Sequence, residues 1–279
     1  MFWPSVFLKA LRDQRWMILG FGVGGGAMAA YVLALYPAYR TALENFEVPP
    51  ALKALFGNVD LKTPAGFVST EFFSWIPALM VIYAIVEGTG VLAGEESAGT
   101  LDLLLACPIS RTRLFLEKAL ATVAGIVAIV ALTVVGFLIG YATGGIDISL
   151  GRLLLADVML IPLTAAFAGV ALAAAALFPA RRHAVAALTV LTVASYFVNS
   201  LGQVVDQLDP VRTFSLFTYL DAAEVLTKGL SWLDAVVLLS VATLSMALAA
   251  VLFQRRDIGV MSTSGISLRG IRRLLLAKS

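Results

Sequence analysis

GEESAGTLDLLLACPISRTRLFLEK, Gly94–Lys118, is the segment on which the fold of this chain turns. It is charged and broken by Pro108. It is wedged between apolar runs over Phe72–Gly94 and Ala119–Ala142, each long enough to cross a bilayer, which takes about 20 residues. Carboxylates are costly in hydrocarbon, so Glu95 and Glu96 mark a water boundary. Gly99–Cys107 reads as a short helix with a leucine-rich face, and Pro108 ends it by disfavouring a helical residue before the ring. Ser110 is a good N-cap for a new helix that opens with Arg111 and Arg113 and climbs into the next span. As an ordinary surface loop, the segment would rest its leucines on lipid. Against that, it is longer than a helix–helix link requires, and it gathers both charge signs around an apolar patch, which suits a protein interface.

Outward from this segment the chain stays apolar. Of its 279 residues, 60% are hydrophobic and 14% charged, with a mean hydropathy of +0.92; soluble domains run at roughly 45–50% and about 25%. The expected fold is an all-α membrane protein with six transmembrane helices over Met17–Tyr36, Phe72–Gly94, Ala119–Ala142, Leu153–Phe178, Ala184–Val205 and Leu233–Phe253. An amphipathic helix over 1–16 precedes this 17–254 domain, and a basic tail over 255–279 follows it. A net charge of +2, with no basic run interleaved with aromatics, gives no reason to expect nucleic acid. The single Cys107 excludes an internal disulfide, and the single His183 excludes a histidine cluster for a metal.

Orientation follows from Lys and Arg. One side carries Lys9, Arg12, Arg15, Arg111, Arg113, Lys118, Arg181, Arg182, Arg255, Arg256, Arg269, Arg272, Arg273 and Lys278; the other carries Arg40, Lys53, Lys62, Arg152, Arg212 and Lys228. Both termini are therefore expected to be cytoplasmic. Ala27-Met28-Ala29 loosely imitates a secretory cleavage site, but the apolar run continues to Tyr36, so the first window is read as an uncleaved span. Ahead of it, Trp3, Phe7, Ala10 and Leu11 share one helical face and Lys9, Arg12 and Asp13 the other, the pattern of a helix lying on the membrane surface. In the tail, Leu268, Ile271 and Leu275 oppose Arg269, Arg272 and Arg273, which suits anchoring to anionic membrane lipids. The pairs Gly20/Gly24, Gly22/Gly26, Gly136/Gly140 and Gly140/Gly144 predict close helix packing.

Several polar residues fall at membrane depth, where they are costly and often functional. Glu87 either faces a cavity or pairs with a basic residue inside the bundle. Ser195, Asn199 and Gln203 lie along one stretch of the fifth span and either contact a substrate or bond between helices. Asp157 is expected to interact locally with Arg152, and Pro162 to kink the fourth span. Two longer outer segments, Pro37–Gly66 and Asp206–Ser231, are each too small for a folded domain; the first contains an amphipathic piece near Leu52–Phe56 and the second a helix-like Leu220–Leu226.

The order E-E-x-x-G-T-L-[DE]-L-L-L-x-x-P-[IV]-S-R-T-x-[LIV]-x-x-x-K strongly resembles the signature of ATP-binding-cassette type-2 exporter permeases. Asp102 stands where glutamate is common, and Ala106-Cys107 where Ser-Leu is common. The resemblance implies that 94–118 is a coupling helix inserted into a cleft on a separate ATPase subunit. Glu95 and Glu96 would start that element, Gly99, Thr100 and Leu101 would pack on the ATPase, and Pro108, Ser110, Arg111 and Arg113 would form its return. It also implies an interfacial elbow helix, an outer segment that dips into the membrane before the last span, and a second permease copy, identical or homologous. The chain has no GxxxxGK[ST] phosphate loop, so ATP and Mg are expected on the partner, with no cofactor and no catalytic residue on this chain.

The expected function is the permease half of an exporter in a prokaryotic cytoplasmic membrane. Pathway linings rich in Ala, Val, Leu and Phe lean toward an amphiphilic cargo such as a drug, peptide or lipid. The alternatives are a permease serving metal-enzyme maturation and, further off, a membrane-embedded enzyme, for which the chain lacks clustered acidic, histidine or serine groups near one face. A secondary carrier would show repeated halves or paired broken helices, and neither is visible.

Overall fold

The computed structural model describes residues 6–43, 62–91, 110–143, 145–178, 180–202, 205 and 209–255, which form helices and short connections with no strand among them. Helix α1 (Val6–Asp13) is followed after a single turn residue by α2 (Arg15–Leu43). Then come α3 (Pro64–Glu71), α4 (Ile76–Thr89), α5 (Arg111–Ala142), α6 (Leu150–Val158), α7 (Leu160–Leu177) and α8 (Arg181–Gly202). Short α9 (Asp209–Arg212), a 3-10 turn over Leu216–Tyr219 and α10 (Ala222–Lys228) lead to α11 (Trp232–Arg255). Six helical stretches are long and apolar enough to cross a membrane: Arg15–Ala42, Pro64–Thr89, Arg111–Ala142, Leu150–Leu177, Arg181–Gly202 and Trp232–Arg255. The expected six-helix membrane fold is present.

Local chemistry moves several boundaries. α2 continues past Tyr36 through Pro37, whose missing N–H leaves Leu33 O without its helical donor, and one turn on Thr41 Oγ1 donates to Pro37 O at 3.0 Å. The second span begins at Pro64 rather than Phe72, because Thr63 caps it by accepting Gly66 N–H at 3.1 Å and Pro64 opens the first turn. Residues 64–66, expected in the outer segment, thus belong to this span, which breaks between α3 and α4 just ahead of Pro77. The expected kink in the fourth span is also present: Pro162 has no N–H to offer Val158 O, and the helix breaks at Met159.

Helix α7 is the most enclosed of the spans, packed against α4, α8 and α11, while α2 lies along α5. Alanine and glycine make this close approach feasible, as expected where lipid supplies no hydrophobic drive and van der Waals fit decides. A Cβ on Gly136 would fall on Gly26 O, and one on Gly140 would come within 2.9 Å of Ala30 Cα. Gly22 likewise meets Leu132. Gly20 and Gly24 do not share in this seam: a Cβ on either would meet no other element within 4 Å among the described residues. The pairing expected between Arg152 and Asp157 is not formed. Arg152 is exposed and its Nη1 donates to Leu226 O at 3.5 Å, whereas Asp157 is fully buried against Thr133 of α5.

Candidate functional site at the head of the third span

The first turns of α5 gather three other elements. Ser110, in an extended conformation, accepts Arg113 N–H at 3.3 Å and starts the helix as its sequence predicts. One turn on, Glu117 faces two ways. Its Oε1 accepts from Arg113 Nε at 2.8 Å, and its Oε2 accepts the backbone N–H of Phe7 at 3.1 Å. Phe7 lies in the first turn of α1, where backbone N–H groups have no helical acceptor and a carboxylate is favoured. Glu117 therefore ties α1 to α5.

Lys118 faces the other way and is buried, with Nζ donating to Val91 O at 2.8 Å at the end of the second span. The last span joins through Gln254 Nε2, which donates to Thr112 Oγ1 at 3.3 Å, and through Phe253, whose ring lies 6.0 Å from that of Phe115. Val6, Leu114, Phe115, Leu172 and Phe253 form a small apolar core beneath these bonds. One helix head thus holds α1 and the ends of the second and sixth spans.

The bend between α1 and α2 is itself pinned. Gln14 is buried; its Nε2 donates to Ala121 O at 2.8 Å, and its Oε1 accepts from Tyr83 Oη at 2.6 Å. Gly125 leaves room for this pair, since a Cβ there would meet both side chains. Sequence reasoning passed over Gln14, Glu117 and Lys118 as site residues. Gln14 was findable, because it continues the inward face of Phe7, Ala10 and Leu11 one turn further. Lys9, Arg12 and Asp13 are exposed, as expected of the opposite face.

Residues 5–254 match the family described as Multidrug efflux system permease Rv1217c, C-terminal domain. The chain belongs to that family. The match runs from just before α1 to the last turn of α11, so it spans α1 and all six spans. No curated protein matches the chain.

Other residues singled out in the permease sequence are placed as follows. Ser110, Arg111 and Arg113 open α5; Glu95, Glu96, Gly99, Thr100, Leu101 and Pro108 lie outside the described residues, as do Gln203 and the Leu52–Phe56 piece. Glu87 is half-buried and within electrostatic reach of Arg181 and Asp13. Arg181 spends its nitrogens elsewhere, with Nη2 donating to Val86 O at 2.9 Å and Nε to Thr89 Oγ1 at 3.4 Å, so it caps the carbonyl end of α4 rather than pairing with Glu87. Exposed His183 lies in the first turn of α8.

Ser195 and Asn199 bond to the segment that precedes the last span. Ser215 Oγ donates to Ser195 O, and the two serine hydroxyls meet, both at 2.9 Å. Thr218 Oγ1 donates to Arg212 O at 2.7 Å, and the side-chain amide of Asn199 lies 2.9 Å from the same hydroxyl. Between these pins Phe217 is buried, its ring 5.1 Å from Phe167 of α7 and 5.6 Å from Tyr196 of α8. Asp221 then caps α10 by accepting Glu224 N–H at 2.9 Å, and Gly229, at φ +100, ends it.

Proposed function

We propose that the permease is the membrane subunit of an ATP-driven exporter in a prokaryotic cytoplasmic membrane, with both termini cytoplasmic. In this reading α1 is an elbow on the inner leaflet and segment 94–118 is seated on a separate ATPase that binds ATP and Mg. The observation that carries the reading is the node at the head of α5. The segment runs directly into Ser110, and a push delivered there reaches α1 through Glu117, the second span through Lys118 and the sixth through Thr112 and Phe115. A coupling device needs such a junction, because rearrangement of spans proceeds by rigid elements shifting together between two states.

The chain supplies the lever and half of the pathway, and a second permease copy the other half. An enclosed α7 and a seam of α2 on α5 support a route between two such bundles rather than through one. Glu87 near the basic end, and Ser195 and Asn199 near the opposite one, are its polar residues, with Gln203 following them in the sequence. The cargo is an amphiphilic molecule of the drug, peptide or lipid class, in line with the multidrug efflux system that gives the family its description.

The test uses the permease reconstituted with the ATPase encoded beside it. Glu95→Ala and Leu101→Asp each lower cargo-stimulated ATP hydrolysis at least several-fold while insertion and yield are kept. Full stimulation in both variants, or failure of any ATPase to co-purify, overturns the reading.

A further inference from the structure

Thr133 of α5 and Asp157 of α6 are both fully buried where the third and fourth spans meet. Thr133 Oγ1 lies 2.7 Å from Val130 O and 2.7 Å from Asp157 Oδ2. Both separations are hydrogen-bond distances for an O–H donor, yet a threonine hydroxyl carries one hydrogen and a backbone carbonyl can only accept. With that hydrogen on Val130 O, the approach of Oδ2 needs a second one. A proton on Oδ2 supplies it.

The other oxygen agrees. Asp157 Oδ1 is buried with no hydrogen-bond partner among the described residues, a tolerable position for the carbonyl oxygen of an acid and a costly one for half of a carboxylate. Among the described residues, the elements packed on α6 bring no cation to it. α7 has no ionisable residue. On α5 the charged residues Arg111, Arg113, Glu117 and Lys118 lie at the far end, at least about 22 Å along the helix from Thr133. Tyr141 of α5 lies about two turns further on. Glu224 and Lys228 of α10 pair with each other at 3.2 Å, and Arg152 of α6 turns to Leu226 O.

The geometry points to a proton held on Asp157 Oδ2: Asp157 is a proton-binding residue that donates to Thr133 and joins the third and fourth spans as a neutral acid. The join holds while water is kept out; loss of the proton would leave a bare charge between the two spans.

The test is infrared spectroscopy of the full-length permease in lipid nanodiscs at neutral pH, unlabelled and with 13C-carboxyl aspartate. A protonated-acid C=O band that shifts with the label and in D2O is expected in the wild type. It disappears in Asp157→Asn, whose amide can still donate to Thr133, and moves to higher frequency in Thr133→Val, where the acid loses its acceptor. A wild type with no label-sensitive acid band overturns the proposal even if either variant fails to fold, as does a band unchanged by Asp157→Asn.

Discussion

Glu117 Oε2 accepts the N–H of Phe7 at 3.1 Å, a bond between residues 110 positions apart that fastens the first helix to the third span. The Arg113 partner of the same carboxylate is largely exposed, so that ion pair contributes only a few tenths of a kcal/mol. The bond to Phe7 is the one that joins two helices. Glu117→Gln, which keeps an acceptor, should change stability by under about 1 kcal/mol, and Glu117→Leu should cost about 1–2 kcal/mol. Thermal unfolding of both variants in detergent checks the order, and equal losses would remove the anchor.

Gln14 and Tyr83 should behave as one unit. Gln14→Leu strands Tyr83 Oη, at about 1–3 kcal/mol for a buried group left unpaired, while Ala121 O, inside α5, keeps its helical donor. Tyr83→Phe alone removes one donor. A double-mutant cycle should return a coupling of roughly 0.5–3 kcal/mol, and a value near zero would mean that the bond does not set the bend.

The α2–α5 seam can be tested with two glycines. Gly136→Val places side-chain atoms on Gly26 O and should cost about 1–3 kcal/mol or abolish folding. Gly24→Ala, with open space around it among the described residues, should stay within about 0.5 kcal/mol. The midpoints of detergent melts decide, and similar losses at both positions would contradict the packing described.

At the opposite end, Ser215→Ala combined with Asn199→Leu removes both pins from the 209–219 segment. Each lost hydrogen bond is worth about 1 kcal/mol, too little to unfold the bundle. Cysteine labelling at exposed Phe214 (Phe214→Cys) should stay fast, while labelling at buried Phe217 (Phe217→Cys) should rise several-fold over the same cysteine variant with the pins intact. An unchanged rate at Phe217 would show that ring packing alone holds the turn.

Hydropathy made the number of spans and their approximate places legible, because an apolar run of bilayer length has little use in a protein except to cross one. The cap at Ser110, the break at Pro162 and the inward glycines at 22, 26, 136 and 140 were also readable, since each rests on local geometry or spacing. The start of the second span was hidden because Pro64–Glu71 is short and polar enough to resemble a loop. The partners of Glu117, Lys118 and Gln14 were not legible, because they depend on which helices lie side by side. The same limit applies to Asp157: sequence nearness suggested Arg152, while burial against α5 selected Thr133.

The fifth span stands apart from the other five. α8 is the least enclosed of the six, yet Ser195 and Asn199 fasten it to the turn that carries Phe217. A helix with few contacts of its own is thus bonded to a turn whose ring packs on the fourth span. The turn acts as a clasp, and much of what keeps the fifth span at its station is borrowed from that ring rather than from the helix itself.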